Sequence, residues 1–583
     1  MEIPRGIFQL STKVLIKFAQ RQFKAAVEDR FEVFLGFCRT LKCQCGLGRM
    51  IFGPTPHQLS QAMAPLIFCL PPEIMDLIFS FLYLAPGLKS RDRLGWLNIA
   101  HVCHQWRDIA LNQPRFWSYI DITTLTLAGA NEMLVRSKNA PLHLVANFYR
   151  YHRDSKRLDA VRKQLEAHIS HIQSLNIYSH PLPLSRTLVR LTTSPAPALE
   201  SLSLCARREL RMQREALAPI EIPPTLFDST APRLTRLEFD NCYISWSAPL
   251  FKGLRHLKLL YRDDAERPDL QSWRDAMCEF SRLESLVLHA ATPVAPQIIT
   301  PIRVKLITLP SLTRLHLSDS ANCCALALSH LVLPSLAWLH IEISSSHPHG
   351  DDIQTVLPHF VLSAHGHQDT MPLQSMVVDV CSHRIDILLW TVPDAGMDYH
   401  DYGSFAGASP SARAVFTAHS SFWDTGASTG VCRAILSALP VSSLVTLTVL
   451  DCRVVPEEIW LGNTPTSQWP SLKCLRLRSS TLCFFTSTLT ENVPPEGPLL
   501  PSLTKLIITG SPLDVCTAKG LRHMLLTRME QGVPIQTLDL SECGVVRGAV
   551  QLFHDIITVL WDPVGIWLLQ EVLRPAPQNQ SEG

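Results

Sequence analysis

The residues whose types and spacing best suit chemistry are histidines. The stretch HPHGDD runs from His347 to Asp352, and His359, His365 and His367 follow it. Imidazoles one residue apart can share a metal ion, with a nearby carboxylate completing the set, and such an ion would activate water for hydrolysis. Cys38, Cys43 and Cys45 form a second cluster. Their C-x4-C-x-C spacing lacks the two-residue gap of zinc modules and has no fourth ligand nearby. Cys323 and Cys324 follow an expected strand directly, a place that suits core or loop thiols better than a redox pair. The chain has no G-x-S-x-G elbow, P-loop, G-x-G-x-x-G or H-E-x-x-H, and no ligand series of the RING type. Scattered Ser, His and Asp residues form no assignable triad. A noncatalytic protein without cofactor or metal is therefore expected, and a metal hydrolase using residues 347–367 is the remote alternative.

H-x-H-x-D is similar to the opening ligands of metallo-β-lactamase-like hydrolases. That motif continues with His, whereas Asp352 stands here. The surrounding elements also differ, and a polar loop with exposed histidines is the simpler expectation.

The elements that must position any site are set by composition and pattern. At 583 residues and 46% hydrophobic, the chain can build several domains or one long repeat array. Its 53 basic and 51 acidic residues are interspersed and leave a net charge of +2, which gives no electrostatic footprint for nucleic acid or an anionic membrane. Seventeen cysteines, an odd number at irregular spacing, fit reduced thiols better than a disulfide framework. No secretory signal stands out, because Lys13, Lys17, Arg21 and Lys24 interrupt the first apolar stretch. No run of apolar residues is long enough to span a bilayer. A cytoplasmic or nuclear location is expected. Residues 1–62 form an N-terminal extension, and Met63 stands just before the first recognisable element.

That element is LPPEIMDLIFSFL at 70–82. Ile74, Leu77, Ile78 and Phe81 follow the spacing of one buried helical face, and Met75, Phe79 and Leu82 line an adjoining one. A helix this apolar must be covered on more than one side. Pro72 suits a first-turn position and Glu73 complements the helix dipole. Downstream, LGWLNIAHVCHQWRDIALNQPRFWSYI puts Ile99, Val102, Cys103, Trp106 and Ala110 on one face, and Pro114 and Trp117 close the segment.

Residues 69–120 together resemble an F-box, a helical module of roughly fifty residues that docks substrate receptors onto the Skp adaptor of SCF ubiquitin ligases. A unit so small cannot cover both apolar faces of its first helix by itself. The resemblance implies that the Skp adaptor, and cullin through it, covers one of them. It also implies adaptor-binding or F-box-core roles for Leu70, Pro71, Ile74, Ile78, Phe79, Leu82, Val102, Cys103, Trp106 and Trp117.

From 169 to 545 the pattern L-x-x-L-x-L recurs, as in LESLSL at 199–204, LTRLEF at 234–239, LTRLHL at 312–317, LAWLHI at 336–341 and LKCLRL at 472–477. Neighbouring copies start 20 to 37 residues apart, near the leucine-rich-repeat period. Cys242, Cys452 and Cys543 fall at the Asn/Cys position of that repeat, and LPSL, APRL and WPSL supply turns before the strands. The expected fold class is α/β: a small all-α F-box module followed by an irregular leucine-rich-repeat solenoid, a horseshoe-like parallel sheet. A helical linker or cap is expected at 121–168, a period-breaking insertion at 379–443, and a C-terminal cap and tail at 546–583. An F-box ahead of degenerate leucine repeats resembles the large F-box families of mushroom-forming fungi.

The resemblance implies a noncatalytic substrate-recognition subunit of an SCF-type ubiquitin ligase, with an unknown target protein on the repeats. The main alternative is a structural or interaction protein in which the F-box-like unit only caps the solenoid.

Overall fold

The computed structural model divides the chain into two compact units, residues 1–86 and 87–583. The structure describes residues 100–561 except 102, 152–153, 207–219, 263–266, 295–305, 345–349, 366–371, 382–383, 394–412, 420–424, 440, 451–468, 479–480, 483–484, 487–488, 491–497, 514, 542 and 546. All described residues belong to the second unit.

The second unit is mixed α/β, built on a large and mostly parallel sheet. Strands β1 (Tyr119–Asp121), β2 (Leu142–Asn147), β3 (Ile172–Tyr178), β4 (Ser201–Cys205), β5 (Arg236–Asp240), β6 (His256–Leu260), β7 (Ser285–His289), β8 (Arg314–Asp319) and β9 (Trp338–Ser344) lie side by side in chain order. Each is parallel to the next. Each L-x-x-L-x-L copy noted above contributes one of these strands or a later one. Residues 121–168 are helical only in part, because LHLVAN alternates buried and half-buried positions as a strand does and forms β2.

The order then reverses. Strands β10 (Ser375–Cys381), β11 (Arg384–Trp390) and β12 (Ala414–His419) enter backwards: β9 pairs with β12, β12 with β11 and β11 with β10. Strand β10 then leads in parallel to β13 (Thr446–Val449), β14 (Cys474–Arg478), β15 (Lys505–Leu513), β16 (Thr537–Asp539) and β17 (Thr558–Leu560). The expectation of a parallel sheet thus needs one correction: β11 runs antiparallel to both neighbours. Only two residues separate β10 from β11, and a parallel crossover needs a dozen or more.

Register turns the leucines into unbroken columns. One runs Ile120, Leu144, Leu175, Leu202, Leu237, Leu257, Leu286, Leu315 and Leu339. It crosses the reversed segment through Ala414, Leu389 and Met376 and continues through Leu447, Leu475, Leu506 and Leu538. All of these are buried. Two residues along, a second buried column includes Ile177, Leu204, Phe239, Leu259, Leu288, Leu317, Ile341, Phe416, Ile387 and Val378.

Proline sets the turns that return the chain to the sheet edge. In APAL, APRL, the three LPSL copies at 309–312, 333–336 and 500–503 and WPSL at 469–472, the last leucine's N–H donates to the carbonyl three residues back, at 3.1 to 3.4 Å. Proline occupies the second position of each, where its fixed φ suits a β-turn. Helices α1 (His104–Asn112), α2 (Leu127–Ser137), α3 (Ser155–His168), α4 (Pro181–Leu191), α5 (Leu270–Glu279), α6 (Ala321–Ser329), α7 (Gly350–His365), α8 (Thr425–Ala438) and α9 (Val515–Glu530) occupy segments between strands or next to them. Side-chain caps start several: Thr126 accepts from Gly129, Asp154 from Arg157, Asp269 from Gln271 and Ser272, and Ser320 from Cys323.

Leu257→Ala removes one rung from the middle of the first column and is expected to cost about 2–5 kcal/mol. Lys258→Ala, next along the strand but on the opposite face, removes only a half-exposed pair with Glu238 and is expected to cost under about 1 kcal/mol. Urea titrations followed by circular dichroism measure both; equal costs would refute a one-sided core.

Candidate functional site

Three regions of the described residues carry candidate function. The first is the end of the module proposed from sequence. Cys103 caps α1, its Sγ accepting from the Trp106 N–H at 3.4 Å. The Ala110 carbonyl looks four residues ahead to Pro114, which has no N–H to give. Trp117 fills that gap: its Nε1 donates to the Ala110 carbonyl at 3.0 Å. The indole is 7% exposed, and the Arg136 guanidinium of α2 lies 4.6 Å from the ring centroid. Trp117 therefore joins α1 to α2 as part of a core, while Trp106 is half-buried. Leu70, Pro71, Ile74, Ile78, Phe79, Leu82 and Val102 lie outside the described residues.

The second region is the sheet face opposite the leucine columns. Tyr119, His143, Ser174, Ser201, Arg236, His256, Ser285 and Arg314 form one register column there, and Asn176, Ser203, Glu238 and Lys258 belong to the next. A depression of about 460 Å³ lies over β5 to β8, lined by Arg236, Glu238, His256, Lys258, Glu284 and Arg314 among others. Arg255 Nε donates to Glu284 at 2.8 Å, and Lys258 pairs with Glu238 at 2.5 Å. Partial burial, with Arg236 nearby, lowers the His256 pKa. The lining carries charges of both signs on a rigid strand platform, which suits a polar protein surface.

The third region lies on the same face where β8 and β9 meet β12 and β11. His316 and His340 stand opposite each other in register, with rings stacked at 4.2 Å. Glu342 approaches His316 Nε2 at 3.3 Å and His419 Nε2 at 3.0 Å. Burial would raise the Glu342 pKa, but hydrogen bonds from His316 and His419 bring it well below the usual carboxylate range. Burial, reinforced by His316, holds His340 down to about 3. Beyond them the Thr417 hydroxyl donates to Asp386 at 2.8 Å, and Arg384 Nε pairs with Asp386 at 2.5 Å.

The histidine-rich stretch singled out from sequence is not this cluster. His347, His349 and His367 lie outside the described residues, and His359 sits half-buried on α7, where burial lowers its pKa. His316 and His340 occupy the same fifth position of LTRLHL and LAWLHI, so aligning the repeats would have brought them together. Cys323 and Cys324 are buried on α6, and burial next to Asp319 pushes the Cys324 thiol well above its ordinary range. That is the reverse of what a reactive thiolate needs. No helix among the described residues is long and apolar enough to cross a membrane.

Residues 67–123 match the family model described as F-box-like. The matched segment ends in α1, the Pro114–Trp117 turn and β1. No curated protein matches the chain. Among solved structures the chain is similar to one titled "Crystal structure of Rad7 and Elc1 complex in yeast", at 9% identity, covering 88% of this chain and 100% of that one. The TM-score is 0.26, and a likeness at that level carries no argument about fold or function.

Trp117→Ala is expected to cost about 3–5 kcal/mol. Trp117→Phe keeps the ring but strands the Ala110 carbonyl, and is expected to cost about 1 kcal/mol. Thermal melts read both effects. A fully tolerated alanine would mean that the indole does not join α1 to α2.

Proposed function

We propose that this chain is a noncatalytic substrate receptor of an SCF-type ubiquitin ligase. Residues 67–123 bind the Skp adaptor and through it cullin, and the charged sheet face binds a target protein. The sheet is read as a leucine-rich-repeat solenoid, in keeping with the repeat period and the in-register leucine columns, and the arrangement resembles the F-box families of mushroom-forming fungi. The reaction takes place in the cytoplasm or nucleus. The observation that carries this reading is the F-box-like match at 67–123, which coincides with the segment whose apolar surplus calls for a partner.

The chemistry asked of the chain is geometric. Holding a target lysine near a charged conjugating enzyme raises its effective concentration. A stiff sheet between adaptor and target does this without supplying a nucleophile or base. Adaptor docking of standard size, about 1,600 Å² in total, needs several apolar anchors, and Ile74, Ile78, Phe79 and Leu82 are the residues offered for it.

Coexpression of the tagged full chain with an untagged Skp adaptor tests the reading. A one-to-one complex is expected on size exclusion with the parent chain, and its loss with Ile78→Lys, Phe79→Lys while circular dichroism stays unchanged. A well-folded parent that forms no complex would overturn the receptor assignment.

A further inference from the structure

The cluster on β8 and β9 is a set of metal-ligating side chains to which the proposed receptor role gives no chemistry. One nitrogen from each of His316 and His340 and a carboxylate oxygen of Glu342 all lie within 4.8 Å of one another. Their arrangement follows from the sheet. In-register residues on adjacent strands stand side by side, and Glu342 lies two residues beyond His340, on the same face.

We propose that His316, His340 and Glu342 bind a zinc ion, which bridges β8 and β9 beside the reversed segment. Two imidazoles and one carboxylate are a zinc donor set, with a fourth position open to water. Imidazole with carboxylate also suits zinc better than a hard cation such as calcium or magnesium, which prefers oxygen ligands alone. Ligands about 2.0–2.1 Å from a tetrahedral zinc are about 3.4 Å apart, and Glu342 Oε2 lies 3.3 Å from His316 Nε2; the two rings are stacked 10° from parallel, so one of them must turn about its side-chain bonds for both to face the ion.

The surrounding groups act as an outer shell that orients these ligands. The Thr417 hydroxyl gives its proton to Asp386, so in the 3.2 Å contact between His340 Nε2 and Thr417 Oγ the imidazole is the donor. That fixes the tautomer and leaves Nδ1 of His340 with the lone pair. On the far side, His419 Nε2 holds Oε1 of Glu342 at 3.0 Å, leaving Oε2 toward His316. An ion can reach the site, because the side chains of His316 and Glu342 are 24% and 26% exposed. The ligands come from β8 and β9, and the residues that orient them come from β12 and β11, the strands where the chain order reverses.

The test uses the full chain, stripped with chelator, dialysed against low-micromolar zinc, then passed through metal-free buffer and analysed for bound metal. The parent is expected to retain a single equivalent, and Glu342→Gln and His316→Asn to lose most of it with an unchanged circular dichroism spectrum. His347→Ala, His349→Ala, which alters the other histidine stretch, is expected to retain the metal. His419→Gln, a change in a positioning residue, is expected to weaken retention without abolishing it. Cobalt loaded in place of zinc gives the parent intense visible bands of four-coordinate geometry, absent from Glu342→Gln. A parent that retains no zinc would overturn the proposal. So would zinc that persists in the His316→Asn, Glu342→Gln double variant.

Discussion

A strand of five residues can bury its two inward leucines only against the next strand and the segment that returns over it, so no single unit of this chain can fold alone. The in-register column from Ile120 to Leu538 is the expression of that dependence. It explains why these turns are so uniform: a proline-led turn places the leucine before β4, β5, β8, β9, β14 and β15 at the same height, and a slip of one residue would turn the apolar column outward. The buried Arg528 on α9 serves the same end. Its guanidinium donates to the Leu499 and Leu500 carbonyls at 2.7 and 2.9 Å, fastening the last LPSL turn, where Leu500 adopts a positive φ of 49°.

The reversed segment shows how far the rule bends. Strand β11 runs against its neighbours, yet Leu389 still falls between Ala414 and Met376 in the column. Side-chain alternation has the same period in both strand directions, so the core accepts an antiparallel strand wherever its parity matches. What changes is the other face. Val377, Leu388, Trp390 and Val415 are buried together there, whereas β5 to β7 present alternating buried and partly exposed positions. Strands buried on both sides read as near-continuous apolar runs, and RIDILLW and AVFTAH are such runs.

This contrast also explains what was legible beforehand. The alternation within LTRLEF or LKCLRL carries its strand in the residues themselves. Strands β1 and β17 are three residues each, too short for any period to register. An apolar run such as IDILLW fits a strand or a buried helix equally, and nothing local says that it pairs backwards. The His316, His340 and Glu342 cluster was hidden for a different reason. Its members lie 24 and 26 residues apart along the chain, and only register brings them together. The histidines of HPHGDD stand close together in the chain and so are visible in the sequence, whereas proximity across strands must be built.

The same distinction sorts the positions of the F-box-like segment. Cys103 caps a helix and Trp117 supplies the hydrogen bond that Pro114 cannot, so both serve the segment's own fold. Helix α1 offers little surface for docking, since Ala110 is its one fully buried residue and Leu111 its one markedly exposed large apolar side chain. Its other outward positions, His104, Arg107, Asp108 and Asn112, are polar. The proposed adaptor contact rests instead on residues 70–82, where the sequence carries more apolar side chains than one helical face can hold. The recognition problem divides accordingly: Cys103 and Trp117 hold the end of the segment together, and Ile78 and Phe79 are where the proposed partner contact is to be tested.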